Sequence, residues 1–280
     1  MIEGTMDELK PQSLDEFNQL LQENSEHKHW KGLILTGSEI TLRKDLPELV
    51  YQAKKSGFQH VRIQTHGMHL AQNNFCKILL DAGVDEFFVS VAGSDALTHD
   101  EITEVSGSFD KMMQGLEHLD VHPHVSLITN TVVTEKSYRL LPNITKRLLQ
   151  FKQLVQIEFW IYWPMTEHDS KNLIASYGDM LPYLLQAVEL AKEHSVAIEI
   201  KNFPECMLGD SGSLLHNDQP QLYIDPEFWT QFMRNGFYQC AYREQCASSQ
   251  CLGLNTAYIE KYGLEEDLLQ PLAKSEQTAN

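Results

Sequence analysis

Positive charge is scarce in this sequence. Its 280 residues include 22 Lys and Arg against 39 Asp and Glu, which gives a formal net charge of −17. Non-specific binding to nucleic acid depends on neutralising phosphates with Lys and Arg, and docking on an anionic membrane needs the same charges. The one compact basic stretch, Lys146–Arg147, is too small to reverse this balance. We therefore expect neither nucleic acid nor a membrane as a partner.

Long apolar runs are also missing. No stretch of 18 or more apolar residues is present, which excludes a transmembrane helix. The N-terminal sequence MIEGTMDELKPQ is acidic and has no apolar segment of the kind found in signal peptides. These absences predict a cytoplasmic protein, in which the five cysteines stay reduced and a cluster of them indicates a metal site before a disulfide framework.

Common catalytic signatures are absent as well. There is no G-x-S-x-G elbow, no G-x-G-x-x-G fingerprint and no P-loop lysine. Twelve histidines are present, but none forms a pair with the helical or hairpin spacing of metal ligands. The sequence therefore gives no support for a serine hydrolase triad, a dinucleotide-binding fingerprint or a P-loop NTPase.

Short apolar runs alternate with amphipathic ones along most of the chain. A capping box from Ser13 to Glu16 opens a first helix. Strands are predicted over residues 32–36, 60–64, 86–91, 124–133, 155–161 and 197–201, and helices over about 45–56, 69–82, 108–119, 136–151 and 176–194. Such alternation predicts parallel strands joined by right-handed crossovers. The fold class is therefore α/β, as a barrel, a partial barrel or an open sheet.

The chain divides into three regions. Residues 1–30 hold the first helix, residues 31–203 form the α/β body, and residues 204–280 form a C-terminal extension. The regular alternation stops at Pro204, and Gly, Asp and Ser crowd into residues 209–213. We expect irregular structure in the extension and a disordered tail in its last residues, AKSEQTAN.

Small or polar residues stand at the ends of four successive predicted strands. They are Gly37, Ser38 and Glu39; Thr65, His66 and Gly67; Ser90; and Thr129, Asn130 and Thr131. Ligands of parallel α/β folds bind beyond the carboxyl ends of the strands, so this pattern predicts one polar ligand along that edge. Glu39 has two interpretations: a charge favoured at a helix start, or an acceptor for a ligand ammonium that Gly37 allows to approach closely.

Four of the five cysteines lie in the C-terminal extension. Cys240, Cys246 and Cys251 are separated by five and four residues, and Cys206 is the candidate fourth ligand. Four thiolates can hold either an iron–sulfur cluster or a tetrahedral zinc ion. The spacing is looser than the paired C-x2-C of zinc ribbons, which favours iron–sulfur. Cys76 lies in an apolar helical pattern and is expected in the core.

Taken together, these motifs resemble the radical S-adenosylmethionine (radical SAM) superfamily over about residues 30–264. Gly37-Ser38-Glu39-Ile40 is similar to the family's Gly-Gly-Glu-Pro, and Thr65-His66-Gly67 to its Thr-Asn-Gly. The segment after Cys240 is similar to the auxiliary-cluster tails of some members. This resemblance implies a partial (β/α)6 barrel that binds S-adenosylmethionine and uses a [4Fe–4S] cluster to produce a 5′-deoxyadenosyl radical.

The resemblance also implies roles for individual residues. Gly37, Ser38 and Glu39 would hold the methionyl ammonium, and polar groups of the next strand ends, at Thr65, Gly67, Ser90 and Asn130, would complete the site. Cys206, Cys240, Cys246 and Cys251 would hold an auxiliary [4Fe–4S] cluster. Members with such tails often act on peptides or proteins, but nothing in these residues selects a substrate.

One departure from the family pattern is large. The family's first strand leads into a C-x3-C-x2-C loop that binds the radical-generating cluster, and no cysteine of this sequence precedes Cys76. We therefore expect a barrel without its first strand, in a chain that cannot by itself cleave S-adenosylmethionine reductively. It would be either a truncated sequence or a natural variant that has lost the chemistry.

Two other functions stay open. One is a non-catalytic remnant of the fold that binds iron–sulfur, zinc or a partner. The other is a TIM-barrel-like aldolase or isomerase, which would need a catalytic lysine or a phosphate-binding glycine loop at a strand end, and the sequence shows neither.

Overall fold

Six parallel strands form a single sheet in which the strand order follows the chain. The structure is a computed structural model that describes residues 9–273. The strands are β1 Gly32–Leu35, β2 His60–Thr65, β3 Glu86–Ser90, β4 Ser126–Val133, β5 Leu154–Ile161 and β6 Ala197–Lys201. Each pairs in parallel with its neighbours, from β1 at one edge to β6 at the other. This topology agrees with the predicted α/β class and with a partial TIM-like barrel.

Within residues 9–273, helices precede, connect and follow the strands. They are α1 Leu14–His27, α2 Leu46–Lys55, α3 Asn73–Ala82, α4 Ala96–Thr103, α5 Ser108–Asp120, α6 Leu141–Leu148, α7 Tyr177–Glu193, α8 Glu227–Met233 and α9 Thr256–Tyr262. None of the helices within residues 9–273 is both long enough and apolar enough to cross a membrane.

The sheet has one apolar face and one polar face. Alternate strand residues such as Val61, Phe87 and Ile157 are fully buried and join one hydrophobic core with helix residues such as Leu116 of α5. The side chains of the intervening strand residues, such as Gln64 on β2, point to the opposite face, because successive side chains of a strand alternate between the two faces of the sheet. We call this opposite face the inner face of the sheet.

The structure confirms the predicted strands and helices, although the residues at which they begin and end differ. Within its described residues, it also contains three further helices. The helix predicted over 136–151 is shorter, since a 3-10 turn over Tyr138–Leu140 precedes α6. Helix α4 was not predicted, and the C-terminal extension contains α8 and α9 as well as irregular segments. The predicted disordered tail lies, after its first residue, outside the described residues.

Candidate cofactor and cluster sites

Glu39 lies just beyond β1 and connects the ends of two strands. Its Oε1 accepts hydrogen bonds from the Thr41 backbone N–H (3.0 Å), the Thr41 hydroxyl (2.6 Å) and the Thr65 hydroxyl (2.7 Å). Its Oε2 accepts from the His66 backbone N–H (2.8 Å), and the His66 ring Nδ1 is 3.4 Å away. The carboxylate therefore caps the 3-10 turn over Ile40–Leu42 and also joins the end of β1 to that of β2.

These hydrogen bonds determine the charge of Glu39. Burial by itself would raise the pKa of its carboxyl group, but the bonds from Thr41, His66 and Thr65 outweigh burial and lower the pKa below its usual value. A carboxylate that accepts several hydrogen bonds stays ionised. Glu39 is therefore a fixed negative charge at the carboxyl edge of the sheet, and its side chain is 14% exposed.

The two predicted glycines differ in what they do. Gly67 has φ +81°, and a Cβ there would lie 2.9 Å from Val89 Cγ1, so packing and backbone conformation both require glycine. Gly37 has ordinary φ, and no atom lies within 4 Å of the place a Cβ would take. Nothing in the described chain requires glycine at this position. Gly37 and the exposed Ser38 therefore leave open space directly before Glu39.

A second polar pair lies at the ends of β3 and β4. The Ser90 hydroxyl donates to Asn130 Oδ1 at 3.2 Å, and the two residues are partners in the strand register. Asn130 is 4% exposed, and no described residue accepts a hydrogen bond from its Nδ2. Thr129 and Thr131 point to the helices instead, where their hydroxyls are buried without partners. Of this triplet only Asn130 therefore faces the inner side.

The two polar sets lie along one edge of the sheet. Thr65 pairs in register with Val89, the residue before Ser90, and Ser90 pairs with Asn130. Glu39 contacts Thr65 directly, whereas no described hydrogen bond joins Glu39 to the Ser90–Asn130 pair. The edge thus presents an anionic end beside β1 and a neutral amide end at β4.

The four cysteines of the extension surround one small cavity. Cys206, Cys240, Cys246 and Cys251 all line a space of about 30 Å³, and Cys76 lies in the core instead. The turn over Glu205–Met207 brings the first cysteine, and the loop before α9 brings the other three. Four cysteines from two distant stretches of the sequence therefore line one space in the fold.

Backbone N–H groups point at three of these sulfurs. The N–H of Tyr242 lies 3.4 Å from Cys240 Sγ, that of Leu272 lies 3.4 Å from Cys246 Sγ, and that of Gly253 lies 3.3 Å from Cys251 Sγ. Hydrogen bonds of this kind tune the sulfur ligands of iron–sulfur sites.

Burial and mutual repulsion oppose ionisation of the thiols. Burial raises the pKa of Cys206 and of Cys251, and the neighbouring thiols Cys240 and Cys246 raise both further. Four thiolates in one cavity would repel one another unless a metal centre neutralised them. As arranged, however, residues 9–273 contain no group of three or more His, Cys, Asp or Glu side chains that could hold a metal ion. The auxiliary site therefore stays a prediction.

The sequence reasoning missed a charged row on β5 and β6. Glu158 lies on the inner face opposite Asn130 and Glu199, and Lys201 follows on β6. A single acidic residue within each of the runs VQIEFWI and VAIEI was the available signal. Trp160 also lies on this inner face, and its Nε1 donates to Glu158 Oε2.

Known proteins resemble this chain in sequence. Residues 4–137 match the radical SAM superfamily. A probable GTP 3′,8-cyclase of Metallosphaera sedula is 30% identical over 130 residues, which cover 46% of this chain and 38% of that protein. Fe-coproporphyrin III synthase of Methanosarcina barkeri is 28% identical over 193 residues, which cover 69% and 45%. The chain thus spans less than half the length of these relatives.

Solved structures share the fold at low sequence identity. SuiB of Streptococcus suis bound to its precursor peptide SuiA has a TM-score of 0.57 and 13% identity, and the match covers 84% of this chain and 50% of that one. Native anSMEcpe with bound AdoMet has a TM-score of 0.54 and 17% identity, covering 67% and 54%. The chain is therefore similar to the radical SAM superfamily in sequence over residues 4–137, just under half of its length, and it shares its fold with these two structures.

Proposed function

We propose that this chain binds S-adenosylmethionine along the carboxyl edge of β1–β4 and an auxiliary [4Fe–4S] cluster at its four C-terminal cysteines. The whole protein would be an enzyme that modifies a peptide or protein by radical chemistry. The observation that carries the proposal is the meeting of Cys206, Cys240, Cys246 and Cys251 around one cavity beside a radical SAM sheet.

The edge of the sheet fits the cofactor in charge and in space. Glu39 is ionised and supplies a negative charge for the methionyl ammonium, and the open space at Gly37 and Ser38 lets the ligand reach it. Thr65 holds Glu39 in place, and Gly67 sets the turn after β2. When bound, S-adenosylmethionine would supply a 5′-deoxyadenosyl radical once an iron–sulfur cluster gives it one electron, and that radical would remove hydrogen from a substrate.

The end of the same edge at β3 and β4 offers neutral hydrogen-bonding groups. Asn130 Nδ2 has no acceptor among the described residues, and Ser90 holds the amide oxygen. An amide fixed in this way is suited to the ribose hydroxyls or carboxylate of the cofactor. Together with Glu39, it would orient the ligand across four strands.

The cysteine arrangement favours a cluster over a zinc ion. Tetrahedral zinc, with Zn–S distances of about 2.3 Å, would draw four thiolates close around one ion. The four thiols line one cavity, and the C-x5-C-x4-C spacing of three of them is looser than the paired C-x2-C of zinc ribbons. A cubane cluster lies between its ligands and holds them farther apart, so it suits four thiols around a shared space.

A peptide or protein substrate is supported by the fold shared with SuiB, whose structure contains a precursor peptide.

Iron and sulfide analysis after anaerobic reconstitution tests the proposal. We expect about four irons and four sulfides per chain, and loss of most of this iron in Cys246→Ala. Cys76→Ala is the matched control, since burial raises the pKa of this core thiol to about 11 and it lies outside the cavity. Zinc in place of iron, or equal iron in the two variants, would contradict the proposed cluster.

A further inference from the structure

The inner face of the sheet carries a charged row beyond the proposed cofactor edge. Glu158 on β5 is the register partner of Asn130, and Glu199 on β6 is the register partner of Glu158. Neighbouring strands lie about 4.8 Å apart. Glu158 is therefore one strand away from the last proposed cofactor residue, and Glu199 is two strands away.

Cationic partners do not balance the carboxylates of this row. The Lys201 ammonium donates to Glu199 Oε2 at 3.1 Å and to the His216 carbonyl at 2.9 Å. Glu158 accepts only from neutral groups, Gln156 Nε2 at 2.8 Å and Trp160 Nε1 at 2.6 Å. Among the described residues no cation forms an ion pair with Glu158. The row thus holds two carboxyl groups and a single ammonium.

Glu158 lies in a costly position for an acid without a counter-charge. The residue is 3% exposed, and burial raises the pKa of its carboxyl group. A buried carboxylate is stabilised chiefly by a cation or by several hydrogen bonds. Each of its oxygens accepts one hydrogen bond from the chain and keeps capacity for another. A buried acid whose pKa is raised and which lies on a ligand-binding face is a candidate for function.

An aromatic surface flanks the same carboxyl group. Trp160 is partly exposed, and its ring lies 5.8 Å from that of Phe88 on the inner face. Indole rings attract cations to their faces. Acid and indole therefore lie next to each other, and Asn130, whose Nδ2 has no acceptor among the described residues, is the register partner of Glu158.

We propose that Glu158 binds a cationic nitrogen group of the substrate, an amine or a guanidinium, with Trp160 beside it. The inference rests on the proposed function, because a cofactor held by β1–β4 leaves β5 and β6 for the substrate. The incoming cation supplies the ion-pair partner that no described residue gives Glu158, since the neighbouring Lys201 ammonium is itself hydrogen-bonded to Glu199. With Lys201 already paired to Glu199, the bound row is neutral.

Calorimetric titration of the reconstituted chain with three capped amino acids tests this inference. The probes are the Nα-acetyl amides of arginine, lysine and citrulline, the last a neutral analogue of arginine. We expect at least one cationic probe to bind at least tenfold more tightly than the citrulline probe, and Glu158→Gln to weaken that binding at least tenfold. Glu189→Gln is the matched control, since Glu189 is exposed on α7 and paired with Lys192; its affinity should equal that of the natural chain.

A second variant keeps the test decisive if Glu158→Gln does not fold. Lys201→Met removes the ammonium and leaves Glu199 unpaired, so cationic probes should bind at least threefold more tightly. Equal affinity for arginine and citrulline probes, or no binding of either cationic probe, overturns the inference. S-adenosylmethionine binding, measured on the same samples, separates the two proposals. If the natural chain does not bind S-adenosylmethionine, the proposed function is refuted. If it binds S-adenosylmethionine but neither cationic probe, only the role of Glu158 is refuted.

Discussion

The α/β body and the C-terminal extension are held together in different ways. In the body, every strand of the sheet from β2 to β6 buries apolar side chains such as Leu127 and Ile200 against the helices. Within the described residues, the extension has two short α-helices, α8 and α9, three 3-10 turns and irregular segments between them. Stability in the body is therefore spread over many similar contacts, whereas that of the extension depends on a few specific ones.

One set of contacts joins the extension to the body at the start of α7. Tyr258 of α9 stacks on Tyr177 with ring centroids 4.1 Å apart, and its hydroxyl accepts from the Tyr177 backbone N–H at 2.9 Å. The same hydroxyl contacts Glu265, and Lys261 donates to the Ile174 carbonyl at 2.7 Å. A change to one such residue should loosen the extension without unfolding the sheet, and this difference between the two regions is testable.

The largest effect is expected from a cavity in the body. Leu127→Ala removes a fully buried side chain from the middle of the sheet, which should lower the free energy of unfolding by about 2–5 kcal/mol. Urea denaturation followed by far-UV circular dichroism measures it. Leu97→Ala is the control, because Leu97 is 80% exposed and should change stability by less than about 0.5 kcal/mol. Equal effects of the two substitutions would refute the assigned core.

A smaller and local effect is expected in the extension. Tyr258→Phe keeps the ring stack and removes the hydroxyl that accepts from Tyr177 and contacts Glu265, at a cost of about 1–2 kcal/mol. Hydrogen exchange should quicken in residues 204–269 and stay unchanged in β2–β5. Tyr238→Phe, at an exposed tyrosine of the same extension, should have no effect. Faster exchange throughout the sheet would show that the two regions are not separable.

The smallest effect is expected at the strand edge and depends on pH. The pKa of Glu39 is lower in the folded chain than its usual value, so its stabilisation is present above the unfolded pKa of about 4.3 and disappears as pH falls through the folded pKa. Glu39→Gln should therefore cost about 1 kcal/mol at pH 7 and less at pH 4. Urea denaturation at both pH values measures the difference. A cost that is larger at pH 4 would have the wrong sign.

Sequence periodicity predicted the body well because its elements bury apolar faces in a regular pattern. Helix α4 escaped prediction because its only fully buried residue is His99, so no apolar stripe marks it. Its start carries a local signal, since Asp95 accepts from the Thr98 N–H. Helices α8 and α9 are seven residues each, too short for a reliable apolar period.

The candidate sites were predictable only in part. Strand-end position identified Glu39 and Asn130, because ligands of parallel sheets meet the carboxyl edge. It could not show that Glu39 also caps a turn and binds Thr65, which depends on how two loops pack. Glu158 was hidden within an apolar strand, since only the register of β4 and β5 shows which face it occupies.

Binding of S-adenosylmethionine to two glycine variants tests the central claim most directly. Gly37 and Gly32 both have ordinary φ and open space at the Cβ position, but they lie at opposite ends of β1. In equilibrium dialysis, Gly37→Val should weaken binding at least tenfold because its side chain fills the space before Glu39, whereas Gly32→Val should bind as the natural chain does. Equal affinities of the two variants, or no binding by the natural chain, would contradict a cofactor site at this edge.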